Sequence, residues 1–199
     1  MNEWEAQYAA GLDPRWPFTD LVSLVMRHAK PKPGDRVLEL GPGTGANVPF
    51  FASLGVEYIG IDGSQTAVDM LQARYPDHCF WCGDFTQDTD YLIPGYVNLV
   101  IDRASMPHNT IEAMGRCIRL VHRVLRTGGH FIAVDWFSTE DTLPERFEGL
   151  GTVTRLDLPD IERLFKGWTI VALEHVNRFQ EGGWWYRRNI ATWNIVAKK

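Results

Sequence analysis

The chain has 199 residues, of which 45% are hydrophobic and 23% are charged, and its formal net charge is −5. This length favours one domain with a substantial core, and the acidic balance disfavours nucleic acid and other polyanions as partners. No apolar run approaches the roughly 20 residues that span a membrane. The N-terminal stretch lacks the apolar segment of a secretory signal, so a cytoplasmic location is expected. The odd number of cysteines, three, argues against a disulfide framework, and no metal site is expected.

Predicted strands and helices alternate along the first two thirds of the chain. A first helix is predicted up to Ala29, with Thr19 and Asp20 at its start. The strands that follow are predicted at Arg36–Leu40, Glu57–Ile61, His78–Cys82, Tyr96–Ile101 and His130–Trp136, and the helices between them at Gly45–Leu54, Gln65–Arg74 and Thr110–Arg126. The last of these helices is expected to end in a glycine cap at Gly128 and Gly129. Such alternation predicts an α/β fold, a doubly wound and mostly parallel sheet with helices on both faces.

The pattern changes beyond Ser138. A short helix is predicted at Asp160–Phe165, and two strand-like stretches follow at Thr169–Phe179 and Tyr186–Ala197. The residues between these two stretches include Gly182 and Gly183, which is typical of a hairpin turn. The sequence therefore predicts an antiparallel C-terminal hairpin.

A glycine-rich turn follows the first predicted strand, in the stretch VLELGPGTGA. Gly41, Gly43 and Gly45 allow the backbone to pass close to a ligand because they carry no Cβ atom. Asp62 closes the second strand, where its carboxylate can accept hydrogen bonds from both hydroxyls of a ribose. These features fit a dinucleotide and S-adenosylmethionine equally well.

Two further features favour S-adenosylmethionine over a dinucleotide. Glu39 lies inside the first strand, where dinucleotide-binding folds usually keep apolar residues. The third strand ends in Gly83, Asp84 and Phe85, and the carboxylate of Asp84 can accept a hydrogen bond from an adenine amine. The predicted hairpin is a third indication.

Four segments, VLELGPGTG, YIGIDGS, GDF and VLRTGGHFIAV, stand in this order along the chain. In their order and spacing they resemble the S-adenosylmethionine-dependent methyltransferases of the Rossmann-like class. The resemblance implies a seven-stranded sheet of order 3-2-1-4-5-7-6, S-adenosylmethionine as cofactor and S-adenosylhomocysteine as product. It also implies a lid and helix over residues 1–34 and a methyltransferase domain over residues 35–199. The implied cofactor contacts are Glu39, Gly41, Pro42, Gly43, Thr44, Gly45, Asp62, Gly63, Gly83, Asp84, Phe85 and Asp102.

The N-terminal segment and the stretch VNLVIDRAS resemble more narrowly the thiopurine S-methyltransferase-like branch. That resemblance implies that Trp4, Tyr8 and Trp16 cover the cofactor, with Trp4 facing the acceptor. It also implies that Arg103 faces the acceptor pocket and pairs with an anionic group of the substrate. Packing of the aromatic rings in the core and a structural salt bridge of Arg103 are the alternatives.

The acceptor is predicted to be a small molecule with a sulfur, nitrogen or oxygen nucleophile. Trp136, Trp184 and Trp185 are expected to form apolar walls of its pocket, because aromatic faces favour cationic groups. His108 is the candidate general base and Arg103 a second candidate catalytic residue, with a capping or exposed histidine as the alternative for His108. A catalytically silent cofactor-binding regulator is the alternative function. A monomer or a homodimer is expected.

Overall fold

The computed structural model describes residues 3–87, 92–140, 153–180 and 188–199. Within these ranges, the strands are β1 Arg36–Leu40, β2 Glu57–Asp62, β3 Cys79–Cys82, β4 Val97–Arg103, β5 Leu125–Phe137, β6 Thr169–Gln180 and β7 Arg188–Lys198. They form one sheet in the order β3-β2-β1-β4-β5-β7-β6. β1 to β5 run parallel, and β7 is antiparallel to both β5 and β6. The predicted strand order and the predicted hairpin are confirmed.

The helices are α1 Glu3–Ala9, α2 Thr19–Leu24, α3 Val48–Ser53, α4 Gln65–Arg74, α5 Ile111–Val124 and α6 Leu158–Leu164. A π-helical turn, Val25–Ala29, continues α2, and a short 3-10 helix, Met106–His108, follows β4. α4 and α5 begin at side-chain caps, because Ser64 and Thr110 each accept a hydrogen bond from an amide of the first turn. Among the described residues, no helix has both the length and the apolar character to cross a membrane.

The central strands of the sheet are buried on both faces. One face packs against α2, α3 and α4, from which Leu21, Phe51 and Leu71 enter the core. The other face packs against α5 and α6, which contribute Val121 and Ile161 among others. This two-sided burial explains why the central strands read as continuous apolar runs.

Three predicted boundaries are wrong. α5 ends at Val124 without a glycine cap, and β5 begins at Leu125 because that residue already pairs with Val97 of β4. Gly128 lies inside the extended segment, where its amide donates a hydrogen bond to the carbonyl of Lys199 at 3.0 Å. The helix predicted from Gly45 begins only at Val48, because the preceding residues form the glycine-rich turn.

The turn after β1 touches the segment after β4, since these two strands are neighbours. Gly41 has a φ of +66°, and a Cβ atom placed on it would lie 2.1 Å from Oγ of Ser105. Gly95 has nearly the same φ, +68°, but a Cβ atom there would meet nothing within 4 Å. The pair therefore separates the cost of the backbone conformation from the cost of the close contact.

Gly41→Ala is expected to lower the free energy of unfolding by about 2–5 kcal/mol, because a left-handed backbone and overpacking both contribute. Gly95→Ala is expected to lower it by about 1–2 kcal/mol through the backbone alone. Urea denaturation of both variants measures the difference. Equal losses would show that the contact between Gly41 and Ser105 imposes no constraint.

Candidate functional site

A cavity of about 440 Å³ opens at the carboxyl ends of β1, β2, β3 and β4. This is the edge where ligands bind in open parallel sheets, and the volume lies within the roughly 300–1,000 Å³ typical of small-molecule sites. Helix α1 contributes to its wall. The lining residues are Trp4, Tyr8, Gly41, Asp62, Gly63, Gly83, Asp84, Phe85, Arg103, Ala104, Ser105, His108 and Asn109.

Asp62 joins the loops that follow β1 and β2. Its Oδ2 accepts a hydrogen bond from the amide of Gly43 at 2.8 Å, and its Oδ1 accepts one from the amide of Ser64 at 2.9 Å. Burial raises the pKa of Asp62, and these two amide hydrogen bonds oppose that shift. A carboxylate offers about four acceptor sites. Asp62 therefore retains acceptor capacity toward the cavity that it lines.

Asp84 is held differently, by a tight turn after β3. Its Oδ1 accepts hydrogen bonds from the amide and the hydroxyl of Thr86, at 2.8 and 2.7 Å. Among the described residues, Oδ2 of Asp84 accepts no hydrogen bond, which leaves this oxygen for a ligand. Phe85 follows directly and lines the cavity with a mostly buried ring.

The remaining glycine-turn residues support the cavity from behind and do not line it. Gly43 lies against the hydroxyl of Tyr8, which would be 2.6 Å from a Cβ atom at that position. Burial raises the pKa of Tyr8, and the nearby Asp62 raises it further. The hydroxyl of Thr44 donates to the carbonyl of Pro14 at 3.3 Å, and Gly45 packs against Leu71. Pro42 is buried.

Glu39 is also placed behind the cavity wall, and only 2% of the residue is exposed. Its carboxyl group accepts hydrogen bonds from the hydroxyl of Tyr58 and from Nδ2 of Asn47, the latter at 2.8 Å. Burial raises the pKa of Glu39 to about 7, although both hydrogen bonds lower it. Asn47 in turn accepts a hydrogen bond from the amide of Phe18 at 3.2 Å. Glu39 thus holds the glycine-rich turn in place, because its carboxyl group accepts hydrogen bonds from buried donors that would otherwise be unpaired.

Trp136 lies in the core, so the prediction that it walls the acceptor pocket is wrong. It is 0% exposed, and its Nε1 donates a hydrogen bond to Oδ2 of Asp102 at 2.5 Å. Asp102, also fully buried, accepts a second hydrogen bond from the amide of Met106 at 3.0 Å. Burial raises the pKa of Asp102 to about 7. Asp102 therefore fixes the segment after β4 and does not line the cavity.

Arg103 lines the cavity at the end of β4 and belongs to a charged network behind it. Its Nη2 donates to Oδ2 of Asp135 at 2.6 Å, and its guanidinium lies 3.7 Å from the centre of the Phe18 ring. The other oxygen of Asp135 accepts a hydrogen bond from Nη1 of Arg178 at 2.8 Å. Arg178 also pairs with Asp20 at 3.0 Å. The salt bridge named as the alternative for Arg103 is present.

The segment from Ala104 to Asn109 completes the wall on the β4 side. Ala104 has a φ of +55°. The ring of His108 contacts two aromatic rings edge-on, that of Trp4 at 4.9 Å and that of Phe137 at 5.7 Å between ring centroids. Ala104, Ser105 and Asn109 were not predicted from the sequence. Their residue types do not indicate a binding site. A left-handed alanine, for example, is recognised only from the backbone conformation.

The N-terminal segment that is expected to form the lid, residues 3–16 and called the lid segment below, is fastened to α4 by polar contacts. Glu5 accepts hydrogen bonds from the Ser64 hydroxyl at 2.5 Å and from the amide of Thr66 at 3.2 Å. Asp13 pairs with Arg74 through two hydrogen bonds of 3.0 Å each. α1 has no fully buried residue, so these polar contacts fasten it together with the ring contacts that Tyr8 makes with Gly43 and Trp4 makes with His108.

Two of the three aromatic rings predicted to cover the cofactor, those of Trp4 and Tyr8, line the cavity, and their role as a cover stays a prediction. The prediction for Trp16 is wrong, because this residue is 85% exposed and does not line the cavity. Trp184 and Trp185 lie outside the described residues.

Residues 37–129 match the family model described as a methyltransferase domain. The chain is 25% identical over 129 residues to the uncharacterized methyltransferase YcgJ of Bacillus subtilis, an alignment covering 63% of this chain and 50% of that protein. The chain spans about half the length of the curated relatives it matches.

Solved structures share the fold. A SAM-dependent methyltransferase from Methanosarcina mazei superimposes with a TM-score of 0.71 at 15% identity, covering 88% of this chain and 96% of that one. Phosphoethanolamine N-methyltransferase 2 of Haemonchus contortus, solved with S-adenosyl-L-methionine, gives a TM-score of 0.70 at 17% identity, covering 99% of this chain and 56% of that one. The resemblance to S-adenosylmethionine-dependent methyltransferases is confirmed, and the narrower branch stays a prediction.

Glu5→Ala is expected to detach the lid segment, because it removes the acceptor shared by Ser64 and Thr66. Hydrogen exchange of the amides in α1 should become severalfold faster, since local opening needs fewer contacts to break. Glu3→Ala is the matched control, as Glu3 is exposed on the same helix. Equal exchange in the two variants would contradict the fastening role of Glu5.

The raised pKa of Asp102 makes the stability of the protein depend on pH. Between about pH 4 and 7 the unfolded chain releases this proton while the folded chain keeps it, so stability falls as pH rises, by up to about 1.4 kcal/mol per pH unit. Above pH 7 the folded group ionises too and its contribution levels off.

Asp102→Asn is therefore expected to show a smaller fall in unfolding free energy between pH 5 and pH 7.5 than the unmodified protein. Urea denaturation at the two pH values measures this fall. Glu112→Gln, an exposed position on α5, serves as the control with the same change of charge. If the unfolding free energy of Asp102→Asn falls as much as that of the control, the pH dependence does not come from Asp102.

Proposed function

Residues 37–129 match a methyltransferase domain within the fold of S-adenosylmethionine-dependent enzymes, and from this premise we propose that the protein transfers a methyl group from S-adenosylmethionine to a small-molecule nucleophile. One observation carries the proposal. The loops after four parallel strands converge on a single cavity, which contains a glycine turn and two carboxylates.

The residues on the β1–β3 side suit the cofactor. Asp62 has acceptor sites for the ribose hydroxyls, and Oδ2 of Asp84 is available to an adenine amine. Gly41 and Gly63 expose backbone at the cavity wall. The carboxylates also favour a ligand that carries a positive charge. The site of the methionine part is proposed to be the turn at Gly41.

The residues on the β4 side, with Trp4, form the acceptor half. When bound, S-adenosylmethionine supplies a methyl group on a positively charged sulfur. The protein's own contribution is to orient the acceptor and exclude water, for which fixed geometry can contribute roughly 7–11 kcal/mol. The rings of Trp4 and Phe85 provide apolar wall. Because Glu5 and Asp13 fasten the lid segment through polar contacts, we propose that it opens to admit ligands.

His108 is proposed as the group that accepts a proton from the acceptor. It lines the cavity between Trp4 and Phe137, so its ring is held by edge contacts. A neutral imidazole can take a proton near neutral pH. An alcohol acceptor requires this help, whereas a thiol that ionises near neutral pH requires less.

A small acceptor is favoured by the size of the cavity and by the net charge of −5. A volume of about 440 Å³ has to hold the cofactor and the acceptor together. An acidic protein gives no general attraction for nucleic acid. The acceptor atom is proposed to be sulfur, nitrogen or oxygen, and the protein is proposed to act as a monomer or a homodimer.

Calorimetric titration with S-adenosylhomocysteine and, separately, NADH tests the cofactor assignment. Asp62→Ala is expected to weaken S-adenosylhomocysteine binding by about 1–3 kcal/mol, because buried donors lose their partner. Asp69→Ala, an exposed residue of α4, is the control. Unchanged affinity in Asp62→Ala, or tight binding of NADH alone, would contradict the proposal.

Turnover is tested with methyl-labelled S-adenosylmethionine and a panel of small thiols, amines and alcohols. Methylation of any compound in the panel would support the proposed methyltransferase activity. Cofactor binding without any turnover would favour a catalytically silent cofactor-binding regulator instead.

His108→Gln is expected to lower kcat for an alcohol acceptor by roughly 10²–10⁴-fold, with little change in affinity for S-adenosylhomocysteine. The loss should be smaller for a thiol. Steady-state kinetics and calorimetry on the same preparation separate the two effects. Equal losses of kcat and cofactor affinity would indicate a structural role for His108.

A further inference from the structure

We infer that Asp135 determines acceptor specificity: by neutralising Arg103 it makes the acceptor half of the cavity unfavourable for substrates that carry a carboxylate, phosphate or sulfonate group beside Arg103. This inference rests on the proposed function and names the class of substrate. It replaces the expectation that Arg103 pairs with a substrate anion.

The first observation is the contact between Arg103 and Asp135. The 2.6 Å distance between Nη2 and Oδ2 is that of a charge-assisted hydrogen bond. The side chain of Asp135 is only 9% exposed and that of Arg103 is 26% exposed. Solvent therefore screens this pair less than a surface ion pair, and a substrate anion has to compete with a carboxylate already in place.

The second observation is that Asp135 is held rigidly from several sides. Its Oδ1 accepts hydrogen bonds from Nη1 of Arg178 at 2.8 Å and from the hydroxyl of Thr192 at 3.2 Å. Its amide donates to Oδ1 of Asn194 at 3.1 Å. Its φ of +56° is unusual for a residue with a side chain. This strained conformation lies at an irregularity of β5 between Ala133 and Trp136, directly beside the end of β4.

The third observation concerns the guanidinium of Arg103 itself. It stacks 3.7 Å from the centre of the Phe18 ring, and the amide of Phe18 is bound to Asn47. Arg103 is thus fixed between an aromatic ring and a carboxylate. Rotation toward a ligand would break both contacts.

The charges of the network balance. Arg103 and Arg178 supply two positive charges, and Asp135 and Asp20 supply two negative ones. Glu39 is a further acidic group near Arg103, whose charge lowers the pKa of Glu39. The remaining N–H groups of Arg103 can still donate hydrogen bonds to an uncharged oxygen or nitrogen.

Fluorescence quenching of Trp4 tests this electrostatic inference without any reaction. Trp4 lines the same cavity, and its signal is obtained by subtracting the corresponding Trp4→Phe variant. Iodide is the anionic quencher and acrylamide the neutral one, at constant ionic strength. Asp135→Asn is suitable because asparagine tolerates a positive φ. Glu112→Gln is the control for net charge.

Asp135→Asn is expected to raise the iodide quenching constant of Trp4 by about 2-fold or more, because a nearby positive charge is no longer neutralised. The acrylamide constant should stay unchanged in the same variant. Glu112→Gln should match the unmodified protein with both quenchers. An iodide constant in Asp135→Asn equal to that of the control would overturn the inference.

A second arm compares two thiol acceptors, mercaptoacetamide and mercaptoacetate, which differ by one charge. Asp135→Asn is expected to raise the ratio of kcat/KM for the carboxylate to that for the amide by about 10-fold, the effect of roughly 1.4 kcal/mol. An unchanged ratio would overturn the inference. If neither thiol is methylated, that result counts against the proposed function for thiols, and the quenching comparison decides the inference.

Discussion

The two hydrogen bonds that Asp62 accepts hold the site together. One comes from Gly43, in the turn after β1, and the other from Ser64, in the turn after β2. Because one carboxylate joins both turns, their relative position is fixed before any ligand arrives. Ser64 also caps α4 and donates its hydroxyl to Glu5. The lid segment is therefore fastened to the same element that fixes the β1–β2 side of the cavity.

Buried carboxyl groups support the site on its other sides. Glu39 satisfies Tyr58 and Asn47 below the glycine turn, and Asp102 satisfies Trp136 and Met106 below the segment after β4. Neither lines the cavity. A buried carboxyl is stable only when its hydrogen-bonding capacity is met, so each of these residues also fixes the groups that surround it. The same burial raises the pKa of both groups to about 7.

Residues at strand ends were predicted correctly more often than residues whose position depends on tertiary contacts. Ten of the thirteen lining residues were expected from the sequence. The glycines and aspartates at strand ends interrupt apolar runs and are visible directly, whereas Trp4, Tyr8 and Arg103 were expected from the resemblance to a methyltransferase branch. The prediction for Trp136 was wrong, because the sequence pattern of an aromatic residue at the end of a strand is the same whether its ring faces a pocket or the core. Ala104, Ser105 and Asn109 were missed, because their position follows from the turn that β4 makes beside β5.

The sequence by itself determined the βαβ order, the hairpin and the glycine turn with its two aspartates, because these follow from local periodicity and backbone freedom. Only the tertiary structure decided how charges are paired. Arg103 is separated from Asp135 by 32 positions and from Phe18 by 85, yet contacts both. Such pairs depend on which strand ends lie side by side, and electrostatic energy depends on distance in space. A residue list cannot supply that distance.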